Sequence, residues 1–311
     1  MSPHKPERID YDRIASRYDR RFASQPSIGI GAALADLSRS IHARRVLEAG
    51  CGTGQWLAGL QSFRAGTRFL VILYDSNTGD LLAMVQGGRL TQLRTGAVSA
   101  VATKCMAREN AATVGIIGTG NQGRAQLAGV CGVRNVTAVK AYDRVEESVK
   151  GFIEEMGAEL GVEITQVATA EEAVTDSDIV ITMTTSRTPV LLGDWLQPGQ
   201  HVNAAGSNHW IRQEVDDNVI RKADTIIVDS IEDAQVEAGD LLYPIERGRV
   251  RWSQIKELSD VVVGRVKGRE SSDSITLFES QGLAVSDVAA AAYVYGKAKE
   301  QGLGVELPMS S

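Results

Sequence analysis

The 311-residue sequence is poor in cysteine, proline and aromatic residues. Cys51, Cys105 and Cys131 are too few and too scattered for a disulfide framework, and no Cys-x-x-Cys pair marks a zinc site, so no metal is expected. There is no apolar run of about 18 residues, which excludes a membrane-spanning helix. The opening MSPHKPERIDYDRIASRYDRR is too polar for a secretory signal. Basic excess is missing as well: a formal net charge of −6 argues against nucleic acid or an anionic membrane as a general partner. Lysine is absent between Lys5 and Lys104. With 43% hydrophobic and 23% charged residues the chain is neither disordered nor collagen-like, and its length suggests about two domains. Many glycines against few prolines suit α/β layers, and a reduced, cytoplasmic protein is the expectation.

Two strand–glycine–helix units stand out, RRVLEAGCGTGQWLAGL at 44–60 and TVGIIGTGNQGRAQLAGV at 113–130. After the second, strands are expected at 136–143, 163–168, 178–185, 201–206 and 225–230. Helices are expected at 145–160 and 169–176, and RQEVDDNVIRKA (212–223) reads as helical. That alternation predicts a parallel sheet with right-handed crossovers. Residues 68–110 read as strand, turn at Ser76–Gly79, strand and helix, and 286–302 as a long helix.

Gly118-Thr119-Gly120-Asn121-Gln122-Gly123 fits the dinucleotide-binding pattern GxGxxG directly after a strand. Its glycines permit a tight turn, a close backbone approach to a pyrophosphate and close helix–strand packing. The next strand ends at Asp143, 20 residues after Gly123. A carboxylate there accepts from ribose hydroxyls and repels a 2′-phosphate, which favours NAD; the adjacent Arg144 leaves NADP open.

The first glycine loop, Glu48-Ala49-Gly50-Cys51-Gly52-Thr53-Gly54, resembles the first motif of S-adenosylmethionine-dependent methyltransferases. The likeness covers residues 11–60, and Asp75 would be the ribose-binding acid. A broader resemblance is to the ornithine cyclodeaminase/μ-crystallin family. It is carried by Asp75-x-x-Thr78-Gly79, Leu90-Thr91-x-x-Arg94-Thr95, the Gly118–Gly123 loop, NAAGSNHWIRQEVDD (203–217), VDS (228–230), AGDL (238–241) and TLFESQGLAVSDVAAA (276–291).

That resemblance implies an NAD(P) enzyme acting on small amino acids or their cyclic imines, working as a homodimer where the family interface is kept. Arg94 would bind the substrate carboxylate; Leu90, Arg94, Ala97, Val101 and Cys105, spaced by 4, 3, 4 and 4, would share one apolar helix face. Asn208 stands where cyclodeaminases carry an aspartate, and Arg212 where they carry a lysine. Asn208 can orient but not take a proton, which favours hydride transfer over ammonia elimination. His209 is a candidate proton donor. Thr184, Thr185 and Ser186, with Ser207 and Ser280, are placed beside the cofactor; strand-end capping is the alternative for the hydroxyls.

The expected organisation is a methyltransferase-like fragment (1–62), a partial catalytic domain (63–111), a Rossmann-type doubly wound domain (112–268) and a C-terminal return to the catalytic domain (269–311). The fold class is thus α/β, a Rossmann-type parallel sheet beside an incomplete α/β catalytic and dimerisation domain. The family's substrate lysine has no counterpart here. The expected function is reduction of a small cyclic ketimine or the reverse dehydrogenation. Cyclodeamination, binding without turnover and methyl transfer follow in that order.

Overall fold

A computed structural model describes residues 70–305. They fall into two compact units, one of residues Gln92–Leu283 and the other built from 70–91 and 284–305. The methyltransferase-like stretch at 11–60 lies outside the described residues. Among the described residues, no helix is long and apolar enough to cross a membrane.

In the smaller unit, β1 (Leu70–Tyr74) pairs antiparallel with β2 (Leu81–Gln86). Asp75 makes the connecting turn, its Oδ1 accepting from Asn77 N at 2.8 Å and Thr78 N at 3.1 Å. Those backbone bonds hold its carboxyl below the usual range. The acid assigned to a ribose in the methyltransferase reading is therefore a turn former. Helix α1 (Gly87–Met106) follows at once and runs on into the larger unit. Val71 and Leu73 need cover, and helix α9 (Ala284–Glu300) supplies it, burying Ala291 against them and Leu90. Thr91 Oγ1 donates to Asp287 Oδ1 at 2.8 Å.

The larger unit alternates strand and helix: β3 (Thr113–Ile117), α2 (Asn121–Cys131), β4 (Ala138–Tyr142), α3 (Glu146–Leu160), β5 (Glu163–Gln166), α4 (Ala170–Val174), β6 (Ile179–Thr182) and β7 (His201–Ala204). Then come α5 (Asp217–Lys222), β8 (Thr225–Val228), α6 (Ile231–Glu237), α7 (Gly239–Glu246), β9 (Lys256–Glu257), α8 (Leu258–Val262) and β10 (Thr276–Glu279). All eight strands are parallel, in the order β5-β4-β3-β6-β7-β10-β8-β9. This is the doubly wound sheet that the alternation predicts. The β-branched runs IVIT, TIIV and TVGII are buried on both faces, as a parallel sheet covered by helices requires.

Three features depart from expectation. The compact unit ends at Leu283 rather than 268, because β10 inserts between β7 and β8 instead of returning to the catalytic domain. The helix expected over 212–223 is confined to α5. On α1, Ala97 and Val101 are exposed and Arg94 is half-buried, so the apolar stripe through Arg94 is not the packed face. The buried face carries Gly96, Ser99, Ala100, Thr103 and Met106. A Cβ on Gly96 would stand 2.1 Å from Ala125 O, and one on Gly129 would stand 2.5 Å from Gly96 O. The backbones of α1 and α2 meet so closely that small residues, not a hydrophobic stripe, decide which face packs.

At the amino edge of the sheet, α1 is tied down through polar groups. Asn203 Nδ2 donates to Thr103 Oγ1 at 2.9 Å, and the wholly buried His201 lies 3.2 Å from Asn203 Oδ1 and 2.9 Å from Thr276 Oγ1. Arg269 donates to Met106 O and Thr276 Oγ1. Burial, and then the nearby Arg269 charge, push the His201 pKa down to about 3. The folded protein keeps this imidazole neutral while the unfolded chain protonates it below about 6.5. Its contribution is therefore complete above about pH 6.5 and lost as pH falls toward 3. In urea unfolding followed across pH, His201→Gln should lower stability at pH 7 by about 1–3 kcal/mol. It should also flatten the acid-side fall by up to about 1.4 kcal/mol per pH unit. Parallel wild-type and variant curves would contradict a neutral buried histidine.

Candidate active site

The carboxyl edge of the parallel sheet, where ligands of open α/β sheets bind, collects most of the residues singled out in the sequence. The β3–α2 loop turns at Gly118, whose φ of +102° and whose absent Cβ, which would stand 2.4 Å from Met183 O, both require glycine. Gly123 packs against Gly118 O in the same way. Gly120 caps α2 with no side-chain bond to the first turn, and a Cβ there would meet nothing within 4 Å. Gly120, Asn121 and Gln122 thus present an open helix N-terminus, which fits the pyrophosphate of a dinucleotide.

Asp143, just past β4, is drawn to this loop. Its Oδ2 accepts from Thr119 N at 2.9 Å and Thr119 Oγ1 at 3.3 Å, and its Oδ1 from Val145 N at 3.0 Å. Ser148 meets Thr119 Oγ1 at 2.9 Å. Arg144 is exposed beside it. Asp143 stands just past the carboxyl end of β4, and each of its oxygens accepts from a neighbouring backbone N–H.

After β6, Thr184 is half-buried, Thr185 exposed, and Ser186 donates to Thr188 O at 2.6 Å while its N–H donates to Thr184 Oγ1 at 3.1 Å. After β7, the buried Ser207 donates to Arg212 O at 3.0 Å, and the Arg212 guanidinium donates to Asn208 Oδ1. His209 is exposed, its Nδ1 accepting from Ile211 N at 3.3 Å, with its ring 5.9 Å from Trp210. After β10, the buried Ser280 donates to Asp229 Oδ2 at 2.9 Å. Arg94 reaches the same turn: a Cβ on Gly282 would stand 2.9 Å from Arg94 Nη1.

Beneath these loops lie four carboxyl groups that the sequence reading did not single out. Glu214 Oε2 accepts from Thr182 Oγ1 at 2.9 Å and Gly206 N at 2.8 Å, while its Oε1 accepts from Thr184 N, which joins the ends of β6 and β7. Asp240 Oδ1 accepts from Glu214 N at 2.7 Å and Val215 N at 2.9 Å. Asp229 Oδ2 joins the end of β8 to the turn after β10. Glu279, at the end of β10, is wholly buried with no hydrogen-bond partner on either oxygen among the described residues.

Burial raises all four. For Asp240, burial and then the Glu214 charge push the pKa up to about 8. Glu279 is raised well above the carboxylate range by burial, then by Asp240, Asp229 and Glu214. Glu214 and Asp229 are raised by burial against the backbone and hydroxyl donors that favour their charged forms. The available signal was positional: Asp229 directly follows TIIV, and Glu279 ends TLFE, both at the carboxyl ends of apolar strands. Among the described residues, no group of three or more His, Cys, Asp or Glu side chains is arranged to hold a metal ion.

Comparison with known proteins agrees with this architecture. The model of the ornithine cyclodeaminase/mu-crystallin family matches residues 58–302. A Δ1-pyrroline-2-carboxylate reductase of Bacillus cereus is 42% identical over 236 residues, covering 76% of this chain and 72% of the relative. The structure of Thermococcus litoralis Δ1-pyrroline-2-carboxylate reductase, in complex with NADH and L-proline, superposes with a TM-score of 0.74 at 43% identity, over 76% of this chain and 73% of that one. An archaeal alanine dehydrogenase dimer with bound NAD also gives a TM-score of 0.74, at 33% identity, over 81% of this chain and 78% of that one. The chain belongs to the ornithine cyclodeaminase/mu-crystallin family.

Proposed function

We propose that the chain is an NAD(P)H-dependent oxidoreductase that reduces a small cyclic imino acid of the Δ1-pyrroline-2-carboxylate kind, or runs the reverse amino-acid dehydrogenation. The observation that carries this reading is the meeting of two recognition elements at one sheet edge. The glycine loop offers a helix N-terminus to a pyrophosphate, and Arg94 brings a guanidinium to the turn after β10. The planar fork of an arginine suits a carboxylate bound through two hydrogen bonds. The nicotinamide, when bound, supplies the hydride.

The chain's own residues bind and orient. Asp143 accepts from the adenosine ribose and disfavours a 2′-phosphate, so NADH is the preferred cofactor, with Arg144 the residue that would admit NADPH. Thr184, Thr185, Ser186, Ser207 and Ser280 line the strand ends on the cofactor side. Asn208, held by Arg212, orients the substrate. An amide in that place cannot take a proton near neutral pH, which favours reduction over ammonia elimination. A homodimer, as in the archaeal alanine dehydrogenase, fits the exposed apolar face of α9, where Val285 and Tyr293 stand in solvent.

The test is NADH oxidation by purified protein supplied with Δ1-pyrroline-2-carboxylate and its six-membered homologue, run beside NADPH and an ammonia assay on ornithine. Substrate-dependent oxidation, faster with NADH and without ammonia release, is expected. Arg94→Lys should raise KM for the imino acid by about 30- to 160-fold, the loss of one charge-assisted contact worth about 2–3 kcal/mol, while NADH binding stays intact. Ammonia release without net NADH consumption would replace the reading by cyclodeamination. No turnover of any imino acid by protein saturated with NADH would overturn it.

A further inference from the structure

The Arg94 guanidinium is seated against the turn after β10. Gly282 lies in the left-handed region at φ +85°, and the space a side chain would take there is filled by the arginine. A Cβ on this residue would stand 2.9 Å from Nη1, 3.6 Å from Nη2 and 3.7 Å from Cζ of Arg94. All three terminal atoms lie near that point, so the guanidinium lies across the bare Cα.

The turn itself is fastened by one carboxylate. Asp229 Oδ2 accepts from Ser280 Oγ at 2.9 Å, Gln281 N at 3.1 Å and Gly282 N at 2.7 Å, and Oδ1 accepts from Ser230 N at 3.0 Å. Asp229 follows β8, and β8 is the direct neighbour of β10, so the sheet register fixes the carboxylate against the turn. It is 8% exposed. Three donors converging on one buried oxygen leave the turn little freedom, and breaking any of them strands a buried polar group.

We infer that Asp229 and Gly282 are positioning residues for the substrate carboxylate: the Asp229 side chain fastens the turn, and the bare Cα gives the Arg94 guanidinium its seat. This inference rests on the proposed carboxylate-binding role of Arg94. Neither residue touches the substrate; both act through the arginine. A displacement of a few tenths of an ångström at a binding group is felt in the geometry of the bound substrate.

The test is a double-mutant cycle on the full chain, read as KM and kcat for Δ1-pyrroline-2-carboxylate and as Kd for NADH. Gly282→Ala should raise KM by about 10-fold or more, with a smaller change in kcat and no change in NADH binding. In the Arg94→Lys background the same alanine should have almost no further effect, since the slender ammonium stem does not need the vacated space and the two losses are one. Additive losses, or a rise of KM with an equal loss of kcat and of NADH affinity, would show a purely structural glycine and overturn the inference. Should the alanine at positive φ keep the protein from folding, Asp229→Asn carries the same cycle. It preserves size but sets an amide N–H against the donors of the turn, and it should give the same Arg94-dependent rise in KM; because Ser280 loses its acceptor too, any loss of NADH affinity should be equal in the Arg94→Lys background. An Arg94→Lys variant with an unaltered KM would instead show that the reading of Arg94 itself fails, and the seat with it.

Discussion

Buried carboxylates hold the carboxyl edge of the parallel sheet together. A parallel sheet leaves its strand ends with unpaired backbone donors, and the loops that leave them carry whatever recognises a ligand. Here Glu214 collects donors from the ends of β6 and β7, Asp240 in turn collects the backbone of Glu214 and Val215, and Asp229 binds the turn after β10 to the end of β8. The loop between Gly206 and Glu214 is held at its two flanks, and the Gly282 turn directly, because these acids accept from them.

The arrangement has a cost that is visible in the acids themselves. Removing several carboxyl groups from water and grouping them together raises their affinity for protons. Burial raises all four, and for Glu214, Asp229 and Asp240 the backbone donors they serve oppose that rise. The opposite edge of the sheet solves a similar problem with a neutral histidine and arginines that donate to carbonyls. The two edges therefore respond oppositely to pH: the histidine edge weakens as pH falls from about 6.5, and the carboxyl edge weakens as pH rises from about 4 toward the Asp240 value of about 8.

Much of this was legible in the sequence. The apolar strands, the Gly118–Gly123 turn and the placement of Asp143 follow local rules that a single segment carries, and they appear where expected. Two features do not follow such rules. The packed face of α1 is set by the approach of α2 through Gly96 and Gly129, which periodicity cannot anticipate because a small-residue face has no hydrophobic signal. The place of β10 between β7 and β8 is a long-range choice, and it brings Glu279 and Gly282 to the site from far along the chain. Asp229 and Asp240 sat inside recognisable segments, yet their work is to accept backbone hydrogen bonds, and no residue spacing encodes that.

The central claim, that the glycine-loop edge of this sheet receives a dinucleotide, is tested most directly by titrating NADH into the protein and its Gly120→Asp variant. Energy transfer from tryptophan to the nicotinamide reports binding, and Trp210, in the loop after β7, stands exposed. A Cβ at Gly120 meets no neighbour and its φ of −69° suits any residue, so the variant should fold as the wild type does. Saturable binding of one NADH per chain, abolished by the new carboxylate, is the predicted result. Equal binding by both proteins, or none by a wild type that circular dichroism shows to be folded, would contradict it.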